Sequence, residues 1–124
     1  MPHTILHVED EQLVAETVKE MLEARGWQVV TCATGGAAMR ELWTDAATFD
    51  LLITDNQLPD VSGFALVRYV RKQLKNRARI PIVMFSAEDC AGAAYHAGVD
   101  VFLKKSADGE LLISTIERLL SRGA

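Results

Sequence analysis

The sequence predicts an α/β fold of the doubly wound kind, with a five-stranded parallel sheet between two layers of helices. Three observations carry that expectation. Short apolar runs recur, Ile5-Leu6-His7-Val8, Leu51-Leu52-Ile53-Thr54, Ile82-Val83-Met84-Phe85 and Val101-Phe102-Leu103, each β-branched or aromatic in character. A stretch of helical periodicity follows each run, which is the alternation of βα units. Each run also ends in a polar or charged group: Glu9-Asp10, Asp55, Ser86 and Lys104-Lys105.

The elements follow in order. The first strand is about Thr4–Val8. The first helix runs from about Glu11 to Arg25, with Val14, Val18, Met21 and Leu22 on one face, and Gly26 stops it. The second strand is about Gln28–Cys32. Thr34 is the N-cap of a second helix carrying Ala37, Ala38, Met39, Leu42 and Trp43. Leu51–Thr54 is the third strand, and the turn-rich segment Asn56 to Gly63 leads to a third helix at about Phe64–Leu74. Phe64, Val67 and Val70 should point inward there. Pro81 precedes the fourth strand, Ile82–Phe85. A fourth helix must fit between Glu88 and Ala97. The fifth strand is Val101–Leu103, and the last helix runs from about Asp108 to Ser121. Its buried face holds Leu112, Ile116, Leu119 and Leu120, leaving Ile113 exposed. Trp27 and Trp43 are expected to pack helices on the sheet, and His7 to be a packed histidine inside the first strand.

Composition narrows the function. The 124 residues support one domain, 1–124, with no remainder for a DNA-binding module. A net charge of −4 argues against nucleic acid as a partner. No apolar stretch reaches transmembrane length and no secretory signal opens the chain, so no membrane partner and a cytoplasmic location are expected. Cys32 and Cys90 lack metal-ligand spacing and read as two reduced thiols. Met1-Pro2 directly before the first strand favours a free-standing protein.

The strand ends supply the chemistry. In a parallel sheet they share one edge, where open α/β sheets bind ligands. That edge gathers Glu9, Asp10 and Asp55, the Ser86 hydroxyl and a lysine amine. Clustered carboxylates call for a hard cation with oxygen ligands, and the amine and hydroxyl call for an anion beside it.

This constellation resembles the receiver domain of two-component response regulators. Its carriers are Glu9-Asp10, Asp55 followed by Leu58-Pro59 and Gly63, Ser86-Ala87, and Ala97-Gly98 leading to Phe102 and Lys105. The resemblance spans the whole chain and implies the strand order 2-1-3-4-5. It implies that Asp55 is the phosphoacceptor and that Asp10 ligates Mg²⁺ directly. Glu9 would act on the metal through water, and the Gln57 backbone carbonyl would be a further ligand. Ser86 and Lys105 would bind phosphoryl oxygens, with Ser86 and Phe102 as switch residues. The family's lysine stands three residues after the aromatic, which selects Lys105 over Lys104. The implied function is a phosphorylation-dependent signalling switch, not an enzyme, although it assists its own phosphorylation and dephosphorylation. The implied partners are a sensor histidine kinase or phosphotransfer protein, and a downstream protein or a second copy. Leu13 and Thr17 on the first helix, with the loop after the fifth strand, would face the kinase.

Three departures from the family pattern stand out. Ser106 follows Lys105 where many receivers have proline, so a cis bond there would cost about 3 kcal/mol. The interval from Ser86 to Lys105 is about three residues short, close to one helical turn; the missing turn must come from the fourth helix or its leading loop, and a shortened fourth helix is expected. Phe102 lacks the hydroxyl of the tyrosine found in many relatives.

Three rival functions are weaker. A phosphatase of the haloacid dehalogenase type wants an acid two residues after its nucleophile, where this chain has Gln57. A flavodoxin-like carrier would cradle phosphate in its first loop, and Glu9-Asp10-Glu11 would repel it. A phosphorylation-independent module with a receiver fold typically lacks the acceptor or the lysine, and this chain keeps both.

Overall fold

A computed structural model of the chain describes residues 2–45, 49–74, 79–105 and 109–122. Ten elements alternate strictly: β1 Thr4–Val8, α1 Gln12–Glu23, β2 Gln28–Cys32, α2 Gly35–Asp45, β3 Leu51–Thr54, α3 Gly63–Gln73, β4 Ile82–Ser86, α4 Ala91–Ala97, β5 Val101–Lys104 and α5 Gly109–Arg122. The strands form one parallel sheet in the order β2-β1-β3-β4-β5.

Strand alternation sorts the core into two halves, because successive side chains point to opposite faces. Leu6, Val8, Leu52, Ile82 and Met84 pack against α2, α3 and α4 through Leu42, Leu66, Val67, Val70 and Ala94. Ile5, Leu51, Ile53, Val83 and Phe85 pack against α1 and α5 through Val18, Leu22, Leu112, Ile116 and Leu119. The three central strands are buried throughout, which is why they read as continuous apolar runs. Both edge strands are partly exposed.

The helix ends follow local chemistry. Gly26 adopts φ +91°, the left-handed turn that closes α1, and its N–H donates to Glu23 O at 2.9 Å. This turn takes Ala24 and Arg25 out of the helix expected to reach Arg25. Thr34 caps α2 as anticipated, its Oγ1 accepting from Ala37 N at 3.0 Å. Ser62 caps α3 in the same way, accepting from Ala65 N at 3.0 Å, so α3 starts at Gly63. Helix α4 has 7 residues, as short as the sequence requires. The Lys105–Ser106 bond and Asp108 lie outside the described residues.

Two side-chain expectations are corrected. Ile113 is 6% exposed and packs in the α1/α5 half of the core. The stripe of α5 runs through Leu112, Ile113, Ile116, Leu119 and Leu120, wide enough to bury two adjacent positions. Leu111 is the exposed apolar residue instead. Trp43 is 70% exposed, because Ala38 and Leu42 take the buried line of α2 and Trp43 falls on its flank, one turn past the half-buried Met39. Phe64 is half-buried and packs against the α2/α3/α4 half of the core as expected, beside Leu66, Val67 and Val70. Trp27 does pack against the core. Among the described residues no helix is long and apolar enough to cross a membrane.

Candidate functional site

Three backbone hydrogen bonds carry the parallel ladders one residue beyond the strands. Glu9 N donates to Cys32 O at 2.9 Å, Asp55 N to Val8 O at 3.1 Å, and Lys105 N to Ser86 O at 3.0 Å. The residues that follow β1, β3 and β5 are therefore fixed to the sheet's C-terminal edge. One carboxylate oxygen from each of Glu9, Asp10 and Asp55 lies within 4.8 Å of the other two. Lys105 Nζ donates to Asp55 Oδ2 at 2.8 Å and makes an ion-pair contact with Glu9 Oε1 at 2.7 Å. Glu9, Asp55 and Ser86 are buried, Lys105 is half-buried and Asp10 faces solvent.

Electrostatics follow from that crowding. Burial pushes the Glu9 carboxyl above its ordinary range, against the hydrogen bond from Lys105. Burial also works against the Lys105 ammonium, but hydrogen bonds to Asp55 and Glu9 outweigh it and hold the amine above its usual value. Three carboxylates face one ammonium, so the cluster keeps a surplus of negative charge. Below them, on the α1/α5 face of β1, His7 is 1% exposed. Burial first, and Lys105 second, hold its pKa down to about 4, with Asp55 opposing, so the ring is neutral at pH 7.

The loop after β3 is tightly tied. Asp55 Oδ1 accepts from Asn56 N at 2.6 Å and from Gln57 N at 3.4 Å. Asn56 O accepts from Gly63 N at 2.8 Å, and Asn56 Oδ1 from Phe64 N at 3.2 Å. A Cβ at Gly63 would stand 2.2 Å from Asp55 O, so only glycine lets α3 begin so close to the Asp55 loop. Asp60 accepts from Gly35 N at 3.0 Å and Gly36 N at 2.8 Å, which moors the far side of the loop to the start of α2. These N–H groups, that of Gly36 foremost, hold the Asp60 carboxyl below its ordinary range.

Sequence reasoning missed Asn56 and Glu88 as site residues. Asn56 Nδ2 donates to Glu88 Oε1 at 2.8 Å, joining the loops after β3 and β4. The only signal was position: Asn56 follows Asp55 and Glu88 stands two residues after Ser86. Ser86 Oγ accepts from Glu88 N at 3.2 Å, which leaves its own O–H as a donor. Phe102 is half-buried against the α2/α3/α4 half of the core, and its N–H donates to Tyr95 Oη at 3.0 Å. Leu13 is 77% exposed on the rim of a groove of about 360 Å³ between α1 and the start of α5; Thr17, Phe85 and Lys105 also line it.

Residues 5–117 match the family profile described as the response regulator receiver domain. The sensory transduction protein RegX3 of Mycobacterium tuberculosis is 31% identical over 123 residues, which is 97% of this chain and 52% of that protein. The chain thus spans about half the length of the curated relatives it matches. The chemotaxis response regulator CheY4 of Vibrio cholerae superposes with a TM-score of 0.86 at 27% identity, over 96% of this chain and 99% of that one. A signal receiver domain of a signal transduction histidine kinase from Syntrophus aciditrophicus superposes with a TM-score of 0.88 at 31% identity, over 96% and 90% of the two chains.

Proposed function

This chain belongs to the response regulator receiver domain family, and from that premise we propose that it is a phosphorylation-dependent switch whose acceptor is Asp55. The reading takes residues 1–124 as one receiver domain in a two-component relay. The observation that carries it is the meeting of Lys105 Nζ with Asp55 Oδ2 at 2.8 Å inside a cluster of three carboxylates drawn from separate strand ends.

Receiver domains bind Mg²⁺ at an acidic pocket, and the residues here fit that ion. The donor set is all oxygen, and its surplus negative charge is what a divalent cation offsets. Asp10 and Asp55 would hold it directly, with Glu9 acting through water and the Gln57 carbonyl completing the set. Bound there, Mg²⁺ supplies positive charge that draws the donor's phosphoryl oxygens to Asp55.

The chain's own groups do the rest. An oxygen of Asp55 bonds to phosphorus as the bond from phosphorus to the donor's imidazole nitrogen breaks. The transition state is loose, so positioning and charge neutralisation dominate. Lys105 passes from Asp55 Oδ2 to a phosphoryl oxygen, and the free O–H of Ser86 donates to another. In this sense the chain assists its own phosphorylation and dephosphorylation without being an enzyme for an external substrate. The phosphodonor, a histidine kinase or phosphotransfer protein, is met by the groove beside Lys105 and by the exposed Leu13 and Thr17. Movement of Ser86 and Phe102 then biases a two-state shift at α4 and β5, read by a downstream protein or a second copy.

Wild type and Asp55→Asn incubated with acetyl phosphate and Mg²⁺ should differ in mass, only the wild type gaining a phosphoryl group. Equal labelling of the two would remove Asp55 as acceptor. An unlabelled wild type would favour a phosphorylation-independent interaction module.

A further inference from the structure

A chain of hydrogen bonds runs from the start of α3 to the Ser86 hydroxyl. Phe64 N donates to Asn56 Oδ1 at 3.2 Å. Asn56 Nδ2 donates to Glu88 Oε1 at 2.8 Å. Glu88 N donates to Ser86 Oγ at 3.2 Å. The backbone N–H of Asn56 donates to Asp55 Oδ1 at 2.6 Å. One residue therefore holds the Asp55 carboxylate with its backbone and the turn after Ser86 with its side chain. The register of β3 on β4, Thr54 opposite Met84, is what brings the two loops out of the sheet side by side.

The backbone of Ser86 needs no such support. Its carbonyl already accepts from Lys105 N at 3.0 Å. Its side chain is a different matter, because β4 ends at Ser86, α4 begins at Ala91, and residues 87–90 belong to neither. A hydroxyl rotates to suit its neighbours. With the Glu88 N–H on one lone pair, Ser86 is set to offer its proton, and an anionic phosphoryl oxygen accepts such a proton strongly. The same chain gives the half-buried Glu88 carboxylate a partner. Released beside Glu9, Asp10 and Asp55, a fourth carboxylate would repel an incoming anion.

We infer that Asn56 and Glu88 are positioning residues for Ser86, a side-chain clasp that directs its hydroxyl proton to the phosphoryl group and holds the Glu88 carboxylate away from it. The inference rests on the reading of Asp55 as acceptor with Ser86 on a phosphoryl oxygen, and it adds two residues to that site. The clasp acts through orientation alone, since neither side chain touches the phosphoryl group.

The test exchanges the two partners. Asn56→Asp removes the amide donor and sets two carboxylates against each other, while its oxygen still accepts from Phe64 N. Adding Glu88→Gln restores the bond with donor and acceptor reversed and the net charge of the pair unchanged. Labelling of Asp55 by acetyl phosphate is followed at saturating Mg²⁺, with urea unfolding of each protein alongside. Asn56→Asp should label roughly fivefold more slowly, the effect of one hydrogen bond on orientation, and the double variant should regain most of that rate. Glu88→Ala, which loses the clasp without the repulsion, should label about threefold more slowly. A wild-type rate in both single variants would overturn the inference and leave Asp55 untouched as acceptor. So would a double variant as slow as Asn56→Asp, or rates that simply follow loss of stability, which marks a packing role. If Asn56→Asp does not fold, Glu88→Ala decides: a wild-type rate overturns the inference, and slower labelling at unchanged stability supports it. A wild type that takes up no label overturns the phosphoryl site and this inference together.

Discussion

Two cation–carboxylate clusters sit at opposite edges of the same sheet, and they are built on opposite principles. At the edge where β4 and β5 begin, Arg71 of α3 donates to Gly98 O at 2.9 Å, Ile80 O at 2.7 Å and Asp100 Oδ2 at 2.9 Å. Asp100 Oδ2 also accepts from Ile82 N at 2.7 Å. One cation meets one anion, and backbone groups take up further capacity. At the other edge Lys105 faces three carboxylates, Glu9 is buried with its charge disfavoured, and His7 Nδ1 is unpaired. The first cluster staples α3 to two strand starts. The second keeps a surplus of negative charge, which the cation proposed above would offset. Charge balance and hydrogen-bond saturation, more than residue type, are what differ between the two clusters.

The largest effect expected from this contrast is on chemistry without stability. Lys105→Met should slow phosphorylation by acetyl phosphate on the order of 100-fold, the usual cost of removing a preorganised charge donor. Its thermal midpoint with Mg²⁺ present should stay near that of the wild type. A small rate change would show that the amine is not poised for the reaction.

Arg71→Met should do the reverse. Loss of the staple leaves Asp100 and two carbonyls short of partners and should cost about 2 kcal/mol by urea unfolding, the side chains being partly exposed. The labelling rate of the folded protein should not move.

Acid sharpens the comparison further. His7 titrates at about 4 in the fold and near 6.5 when unfolded. The unfolded chain therefore binds the extra proton first, so stability is lost as pH falls below about 6.5 and until about 4. The loss should reach about 2 kcal/mol by pH 5. His7→Leu should lack that increment, and parallel pH–stability curves for the two proteins would refute it.

The smallest effect concerns the cation. Asp10 is the exposed member of the acidic trio, so Asp10→Ala should weaken Mg²⁺ binding about tenfold without unfolding the protein, as one anionic ligand among few is lost. Calorimetric titration measures it, and an unchanged affinity would place the cation elsewhere.

The strands and the convergence of the candidate site residues were legible for the same reason. Runs such as Leu51–Thr54 are buried on both faces, so their sequence shows no alternation to misread. Once the sheet is parallel, Glu9, Asp55 and Lys105 have no other edge to occupy. Helix faces were less legible. Ile113 and Trp43 sit beside buried neighbours on the borders of apolar stripes, where one residue is a rotation of about 100°, and only tertiary packing decides which side is covered. The links Asn56 to Glu88 and Asp60 to Gly35 join residues 32 and 25 positions apart across loops. No periodicity encodes such contacts. His7 read correctly as packed, but its missing partner is a property of the assembled site.

The Tyr95–Phe102 hydrogen bond bears on how the protein behaves when crowded. Strand β5 is the last of the sheet, and a bare edge strand is a template on which another chain can lay its own backbone. Tyr95 Oη occupies the Phe102 N–H at 3.0 Å from outside the ladder. The short α4 thus doubles as a guard rail, and its last turn spends an aromatic side chain on keeping that edge from recruiting strands. The helix that is short by a turn thus covers one backbone donor of that edge.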